Sequence, residues 1–171
     1  MNAQLYRPLI ERICAEIGGI DPLLVEALID HETRGRWDPA AIRYEQKFFD
    51  DYCDCARLGA QRLKKLNPLA GSACSYDTER RSCAFSFGLM QSMGLTVREH
   101  GFREPYLAAL CQPEIGIHWG CVILKKLLDK YQSIEKALSA YNAGHAVDWN
   151  HTSYVLPIMR RYDGLKGEQT A

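Results

Sequence analysis

The chain has 171 residues, 47% of them hydrophobic, which suffices for one sizeable core but not for two ordinary domains. Lysine plus arginine (21) balances aspartate plus glutamate (21), so the chain lacks the basic surface typical of proteins that bind nucleic acids or membranes. Polar or charged side chains interrupt residues 1–19 every few positions, so we expect neither a signal peptide nor a membrane-inserted helix. We therefore expect a single domain, residues 1–171, that is made in the cytoplasm.

Apolar residues recur at helical spacing along most of the chain, and no run shows convincing β-type alternation, which predicts a mainly α fold. The first helix has an apolar stripe formed by Leu5, Leu9, Ile13 and Ile17. It should end at Gly18-Gly19, which can adopt a left-handed conformation. Asp21 and Pro22 are typical of the N-cap and first position of a second helix, and the turn at residues 37–39 should end that segment.

The third predicted helix covers residues 46–66 and should end at Asn67-Pro68. Residues 69–83 are rich in turn-forming and charged side chains, so they should be an exposed loop or insertion rather than core. Three later helices are predicted, from Pro113 to about Tyr131, from a cap at Ser133 to Gly144, and near residues 152–163.

Seven cysteines are unusual for a chain of this length, and they form two groups. Cys14, Cys111 and Cys121 fall in apolar helical patterns and should be small core residues. The other four are Cys53, Cys55, Cys74 and Cys83. Their spacing misses the paired Cys-x2-Cys of zinc sites, so we expect disulfides or plain thiols there rather than a metal.

Glu32 is unusual for its position on the second helix. Residues three, four and seven apart share a helix face, and the apolar face comprises Val25, Leu28, Ile29 and Glu32. Glu26 and Asp30 should instead lie on the polar side. Apolar neighbours disfavour a carboxylate, which would raise the pKa of Glu32 and allow it to act as a general acid. The alternative is that the helix frays by Glu32 and the side chain reaches water.

Three segments in order resemble motifs of the lysozyme-like soluble lytic transglycosylase family. That family's first motif, an apolar helix ending in a catalytic Glu-Ser, resembles IDPLLVEALIDHETRGRWDPAAI. Its Gly-Leu-Met-Gln motif resembles SFGLMQSMGLTVREHG, and its third block resembles PEIGIHWGCVILKKLLDKYQSIEKALSAYNAG. The final helix is matched more loosely by YVLPIMRRY. The resemblance leaves out residues 46–83, so it implies a lysozyme-like helical domain with a cysteine-containing insertion.

The resemblance implies an enzyme that needs no cofactor and acts on peptidoglycan glycan strands. The family cleaves the β-1,4 bond between N-acetylmuramic acid and N-acetylglucosamine. Glu32 would first protonate the leaving oxygen and then accept the proton of the muramic C6 hydroxyl, which gives a 1,6-anhydro product.

Further site residues follow from the matched motifs, each beside a plainer structural role. Gly88 would let a sugar approach the backbone, although it could be only a turn residue. Gln91 would bind an N-acetyl group, although a helix-surface glutamine is usually solvated. Met90 should pack beneath the site.

Tyr141 would, by resemblance, direct its hydroxyl at the catalytic carboxyl. The plainer alternative is a buried aromatic residue whose hydroxyl still needs a partner. Asn142 is a weaker site candidate because it could merely cap its helix, and Tyr154 is weaker still.

Two departures from the family pattern matter. Thr33 replaces the usual serine, but a hydroxyl is kept. Glu45 could enter the cleft as a second carboxylate, which would make the protein an inverting muramidase similar to goose-type lysozymes. Glu45 could equally be a solvated or salt-bridged residue in the first turn of the third helix. A non-catalytic saccharide-binding or structural module is a further alternative, and a zinc-stabilised helical domain, which rests on the four cysteines alone, is another.

The expected lack of a signal peptide requires another route to the wall. Release through a membrane lesion, delivery in a phage particle and passage through a secretion machine all fit, and the resemblance favours phage delivery. In such a setting outside the cytoplasm, a disulfide from Cys53 or Cys55 to Cys74 or Cys83 would close the insertion. The aromatic residues at its start, which could anchor it, are Phe48, Phe49 and Tyr52.

Overall fold

A computed structural model describes residues 3–54 and 72–170, without the side chains of residues 169 and 170. The chain divides into two compact units. The first comprises Met1–Trp37 and Gly120–Ala171, and the second comprises Asp38–Trp119. Cys55 and the helix end predicted at Asn67-Pro68 lie outside the described residues. That residues 1–171 constitute one domain stays a prediction.

The described residues are mainly α-helical, as predicted. In chain order the helices are α1 (Ala3–Ile17), α2 (Pro22–Glu32), α3 (Gln46–Phe48), α4 (Tyr76–Ser82), α5 (Gly94–Glu99), α6 (Pro113–Tyr131), α7 (Ile134–Ala143) and α8 (Leu156–Thr170). Two π-helical turns, Phe49–Cys53 and His151–Val155, and a 3-10 turn, Leu107–Cys111, complete the helical structure. None of the described helices combines the length and apolar character needed to cross a membrane.

A small antiparallel sheet in the second unit is not predicted by the sequence pattern. Its strands are β1 (Ile42–Tyr44), β2 (Phe85–Phe87) and β3 (Ser92–Met93), in the order β1-β2-β3. In the register Ile42 lies opposite Phe87, and Ser86 lies opposite Met93. Strands of two or three residues are too short to show an alternating pattern.

Helix α1 ends at Ile17, as predicted, because Gly18 and Gly19 adopt φ angles of +75° and +70°. Its buried face differs from the predicted stripe and consists of Tyr6, Ile10, Ile13 and Cys14. Leu5 is 61% exposed. The reason is geometric: residues spaced by four drift about 40° per step around a helix, so four of them do not share one face.

Helix α2 begins as predicted, with Pro22 in the first position and the Asp21 carboxylate accepting from the Leu23 amide at 2.9 Å. The helix ends at Glu32 with Thr33 as its C-cap, where the family resemblance implies its end, and not at the turn of residues 37–39 that should end the segment. The amide and the hydroxyl of Thr33 both donate to the Ile29 carbonyl. A serine could make the same two bonds.

The expectation that Glu26 lies on a polar side of α2 is wrong. Every residue from Leu23 to Ile29 is buried, and Glu26 is only 2% exposed, because α1 and α8 both pack against this helix. Arg7 of α1 donates from Nε and Nη2 to the two Glu26 oxygens, both at 2.9 Å. Helical periodicity cannot reveal a partner that lies 19 residues away.

The prediction of an exposed loop at residues 69–83 is also wrong for part of that segment. Ser75 caps α4, and Glu79 of this helix is 0% exposed. Glu79 accepts from Arg98 Nε at 2.7 Å, and Arg98 is only 2% exposed. Ser72 donates to the other Glu79 oxygen at 3.0 Å. A buried ion pair therefore ties α4 to α5.

The helices of the C-terminal part follow the predictions closely. Helix α6 covers Pro113–Tyr131, and α7 begins after its cap Ser133 and ends at Gly144, which has a φ of +81°. The final predicted helix at residues 152–163 is a π-helical turn followed by α8, which extends to Thr170.

Cys14, Cys74, Cys83, Cys111 and Cys121 are free thiols. Cys14 and Cys121 are buried, as predicted, whereas Cys111 is half-buried. The predicted bridge is not formed between Cys53 and Cys74 or Cys83, and burial raises the pKa of the Cys83 thiol. Within residues 3–54 and 72–170, no group of three or more His, Cys, Asp or Glu side chains could hold a metal ion.

Substitution Arg98→Met should lower the free energy of unfolding by about 3–5 kcal/mol, because it leaves the Glu79 carboxylate buried without its cation. The double variant Arg98→Met/Glu79→Leu should recover most of that loss. Urea denaturation measures both, with Lys47→Ala, which breaks an exposed pair with Asp51, as a control that should barely change the midpoint. Equal losses in the single and double variants would contradict the ion-pair explanation.

Candidate active site

Glu32 and Tyr154 meet in the first unit. Glu32 is the last residue of α2 and is half-buried, and Tyr154 lies buried in the turn His151–Val155. The Tyr154 hydroxyl donates to Glu32 Oε1 at 2.5 Å. The Tyr154 ring also packs edge-on against His31, with centroids 4.9 Å apart, and burial lowers the pKa of that imidazole. The candidate carboxyl thus has a neutral hydrogen-bond donor beside it.

Residues 34–37, directly after Glu32, are held by contacts that the sequence pattern does not predict. Arg34, Gly35 and Trp37 have φ angles of 52°, 71° and 53°, which reverse the chain within a few residues. The buried Trp37 indole donates to Asp30 Oδ1 at 2.9 Å and stacks on Tyr6 with centroids 6.1 Å apart. These contacts restrain the backbone on the C-terminal side of Glu32.

Asn150 stabilises the turn that carries Tyr154, a role that the sequence pattern does not predict. Asn150 is fully buried, and its carbonyl accepts from the Tyr154 amide at 2.9 Å. Its amide nitrogen donates to the Ser139 carbonyl at 3.0 Å and to Asn142 Oδ1 at 3.1 Å. The Ser139 hydroxyl bonds to Asn150 Oδ1 at 2.8 Å. A lone asparagine in a loop carries no sequence signal for such a role.

Tyr141 and Asn142 lie near the end of α7 in the first unit. Tyr141 is half-buried and Asn142 is exposed, and the side-chain oxygen of Asn142 is bonded to Asn150. The roles of Tyr141 toward the carboxyl and of Asn142 toward substrate stay predictions.

Gly88 has a structural reason to be glycine. Its φ is +69°, and a Cβ built there would lie 2.4 Å from the Leu110 carbonyl oxygen. Its amide donates to the Ala41 carbonyl at 2.8 Å. The Leu110 backbone therefore fills the space beside the Gly88 Cα, which is the requirement of a tight turn.

Gln91 joins three parts of the second unit. Its amide nitrogen donates to the Gly88 carbonyl at 2.8 Å and to the Ala41 carbonyl at 3.2 Å. Its side-chain oxygen accepts from the Ser86 hydroxyl at 2.9 Å. Gln91 has a φ of 46°. Its half-buried side chain has a structural role in this turn, independent of any contact with substrate.

Met90 and Glu45 also lie in the second unit. Met90 is completely buried, in line with a packing role. Glu45 is the N-cap residue of α3, and its carboxylate forms an ion pair with Arg43. This pair matches the plainer structural alternative for Glu45.

The chain matches the family model described as Transglycosylase SLT domain over residues 12–156, which is most of its length. The match includes Glu32, the turn at residues 88–91 and Tyr154. The chain belongs to this family. Comparisons with curated proteins and with solved structures gave no match.

Membership of the SLT family agrees with the mainly α, lysozyme-like fold. It identifies the protein as an enzyme of the lytic transglycosylase type, with peptidoglycan as its substrate. The matched range also contains Tyr141 and Asn142.

Substitution Gly88→Ala should lower the free energy of unfolding by about 2 kcal/mol or more, because a Cβ meets Leu110 backbone and the left-handed φ is strained. Gly164→Ala in α8 is the matched control, since nothing lies within 4 Å of its added Cβ. It should raise stability by about 0.5–1 kcal/mol through helix propensity. Urea denaturation distinguishes them, and a neutral Gly88→Ala would contradict the described turn.

Proposed function

We propose that the protein is a lytic transglycosylase that cleaves the β-1,4 bond between N-acetylmuramic acid and N-acetylglucosamine and leaves a 1,6-anhydro end. Glu32 donates a proton to the leaving glycosidic oxygen. The resulting carboxylate then takes the proton from the muramic C6 hydroxyl as that oxygen attacks the anomeric carbon. The observation that carries the proposal is the Tyr154 hydrogen bond to Glu32 Oε1 in a chain of the SLT family.

The partners of the neighbouring acids support the choice of Glu32. Glu26 is more deeply buried, and both of its oxygens accept from Arg7, so a bidentate ion pair already occupies this side chain. Asp30 accepts from Trp37 and pairs with Arg161 at 3.3 Å. The described donor to Glu32 is the phenol hydroxyl of Tyr154. Because this donor is neutral, it is compatible with both the protonated and the ionised carboxyl.

Two opposing influences act on the Glu32 carboxyl. The C-terminal end of α2 carries partial negative charge from its last carbonyl groups, which disfavours the anion. The Tyr154 hydroxyl favours the anion by donating to it. A group that must be an acid and then a base within one turnover needs both protonation states to be accessible, and a neutral hydroxyl donor beside the carboxyl is compatible with both.

The remaining site residues have supporting roles in the proposal. Tyr154 orients the carboxyl, and Tyr141 contributes a second hydroxyl to the same site. Asn142 provides an amide group for an N-acetyl or hydroxyl group of the sugar. In the second unit, Gly88, Met90 and Gln91 remain candidates for substrate contact through the turn that they form.

The identity of the product separates this proposal from an inverting muramidase that uses Glu45. Mass spectrometry of muropeptides should find anhydro ends, which are lighter than reducing ends by one water. The ion pair of Glu45 with Arg43 gives that carboxylate a structural role, and no described contact favours a water-activating one. Reducing ends would establish the hydrolase instead.

Substitution Glu32→Gln should reduce the release of dye from labelled sacculi by about a thousandfold or more, because glutamine can neither give nor take the proton. Its folding should be intact, as judged by circular dichroism. Glu26→Gln is the matched control on the same helix, and it should lower stability while leaving the turnover of folded protein nearly unchanged. Turnover retained within about tenfold in Glu32→Gln would disprove the assignment.

Substitution Tyr154→Phe should reduce kcat by about ten- to a hundredfold, because it removes the hydroxyl that orients the Glu32 carboxyl but keeps the ring against His31. The free energy of unfolding should fall by less than about 2 kcal/mol. The same measurements on Tyr141→Phe compare the contributions of the two hydroxyls to kcat. A large loss of stability in Tyr154→Phe with unchanged kcat would assign that hydroxyl to the fold alone.

A further inference from the structure

Trp149 is the most exposed large hydrophobic side chain in the described part of the chain. It is 73% exposed, whereas Trp37 is 2% exposed. Exposing an indole ring to water is unfavourable. An exposed tryptophan on a backbone that is held in place therefore indicates a binding surface. We propose that the Trp149 indole is a stacking platform for a pyranose ring of the glycan strand. The inference rests on the proposed function and adds a binding subsite to it.

The loop that carries Trp149 is held by internal bonds. The Val147 amide donates to the Ser139 hydroxyl oxygen at 2.9 Å, and the Ala146 amide donates to the Tyr131 hydroxyl at 3.2 Å. Asn150, which follows Trp149 directly, is fully buried and bonded to Ser139. A ring presented by a fixed loop loses little conformational freedom on binding, which favours its use as a binding surface.

The same loop is connected to the proposed catalytic carboxyl. Asn150 bonds to the Asn142 side chain, and its carbonyl accepts from the Tyr154 amide. The Tyr154 hydroxyl in turn donates to Glu32. One bonded chain within the first unit therefore runs from the residue beside Trp149 to Glu32, and this continuity with the proposed catalytic residue favours the glycan strand as the occupant.

The chemistry around the ring also suits a saccharide. One face of a pyranose presents C–H bonds, which pack favourably on the negative face of an aromatic ring. The exposed neighbours of Trp149 along the chain are polar, and they are Asp148, His151, Thr152 and Ser153. These side chains can bond sugar hydroxyl and acetamido groups. A protein-docking surface would instead show a contiguous apolar patch.

The test is a titration with the hexamer of β-1,4-linked N-acetylglucosamine, followed by tryptophan fluorescence in the Glu32→Gln protein, which cannot turn the ligand over. We expect the ligand to change the emission of the exposed indole and Trp149→Phe to abolish that change. Trp149→Ala should weaken the affinity by about tenfold. Leu5→Ala, which truncates another exposed apolar side chain of the first unit, is the matched control and should bind unchanged.

An unchanged affinity in Trp149→Ala would overturn the inference, as would the same emission change in Trp149→Phe. A wild-type dimer that dissociates in Trp149→Ala, with unchanged sugar affinity, would make the ring a protein contact and also overturn it. Dye release from sacculi tests the proposed function separately. Binding through Trp149 without any wall solubilisation by the wild-type enzyme would uphold the platform and disprove the proposed function.

Discussion

The burial of α2 is the constraint on which the first unit depends. Its residues from Leu23 to Ile29 are all buried against neighbouring helices, so polar groups along it need partners inside the protein. The four acids of the segment have different described partners. Asp21 accepts from the Leu23 amide and the Tyr162 hydroxyl, and Glu26 accepts from Arg7. Asp30 accepts from Trp37 and pairs with Arg161, and Glu32 accepts from Tyr154. These partners come from α1, from α8 and from the turns beside them. The acids of this one segment thus connect α2 to α1, to α8 and to the adjoining turns.

The described partners distinguish Glu32, the proposed catalytic acid, from the other acids of this segment. Glu26 and Asp30 each form an ion pair with an arginine of a neighbouring helix, so these two carboxyls connect α2 to α1 and α8. Asp21 also has a phenol partner, Tyr162, but its carboxylate is used to cap α2. Glu32 combines a phenol partner with a position at the helix C-terminus. Burial by itself would have selected Glu26, so the partner and not the depth of burial distinguishes the candidate acid.

In the second unit the motif residues are also structural residues. The Leu110 carbonyl oxygen would lie 2.4 Å from a Cβ added to Gly88 and 2.2 Å from a Cβ added to Gly116. The two glycines therefore allow the turn at Gly88, the 3-10 turn and the start of α6 to approach one another closely. Gln91 then bonds this turn to the chain before β1. A substitution at Gly88 or Gln91 therefore alters the fold and any sugar contact together. Loss of activity in such a variant does not by itself identify a binding residue.

Local signals in the sequence determined the mainly α class, the cap of α2 and the ends of α1 and α7, because caps, prolines and left-handed glycines act within a few residues of their own position. The ordered motifs identified the family and named Glu32, but they gave Tyr154 little weight and Asn150 none. Only the tertiary structure decided which acid of α2 meets a cation and which meets a phenol, since Arg7 and Tyr154 lie 19 and 122 residues from their partners. The buried pair of Glu79 with Arg98 escaped prediction for the same reason. Charge and hydroxyl contacts between distant segments leave no periodic trace in a single sequence, and those contacts set the chemistry of a carboxyl.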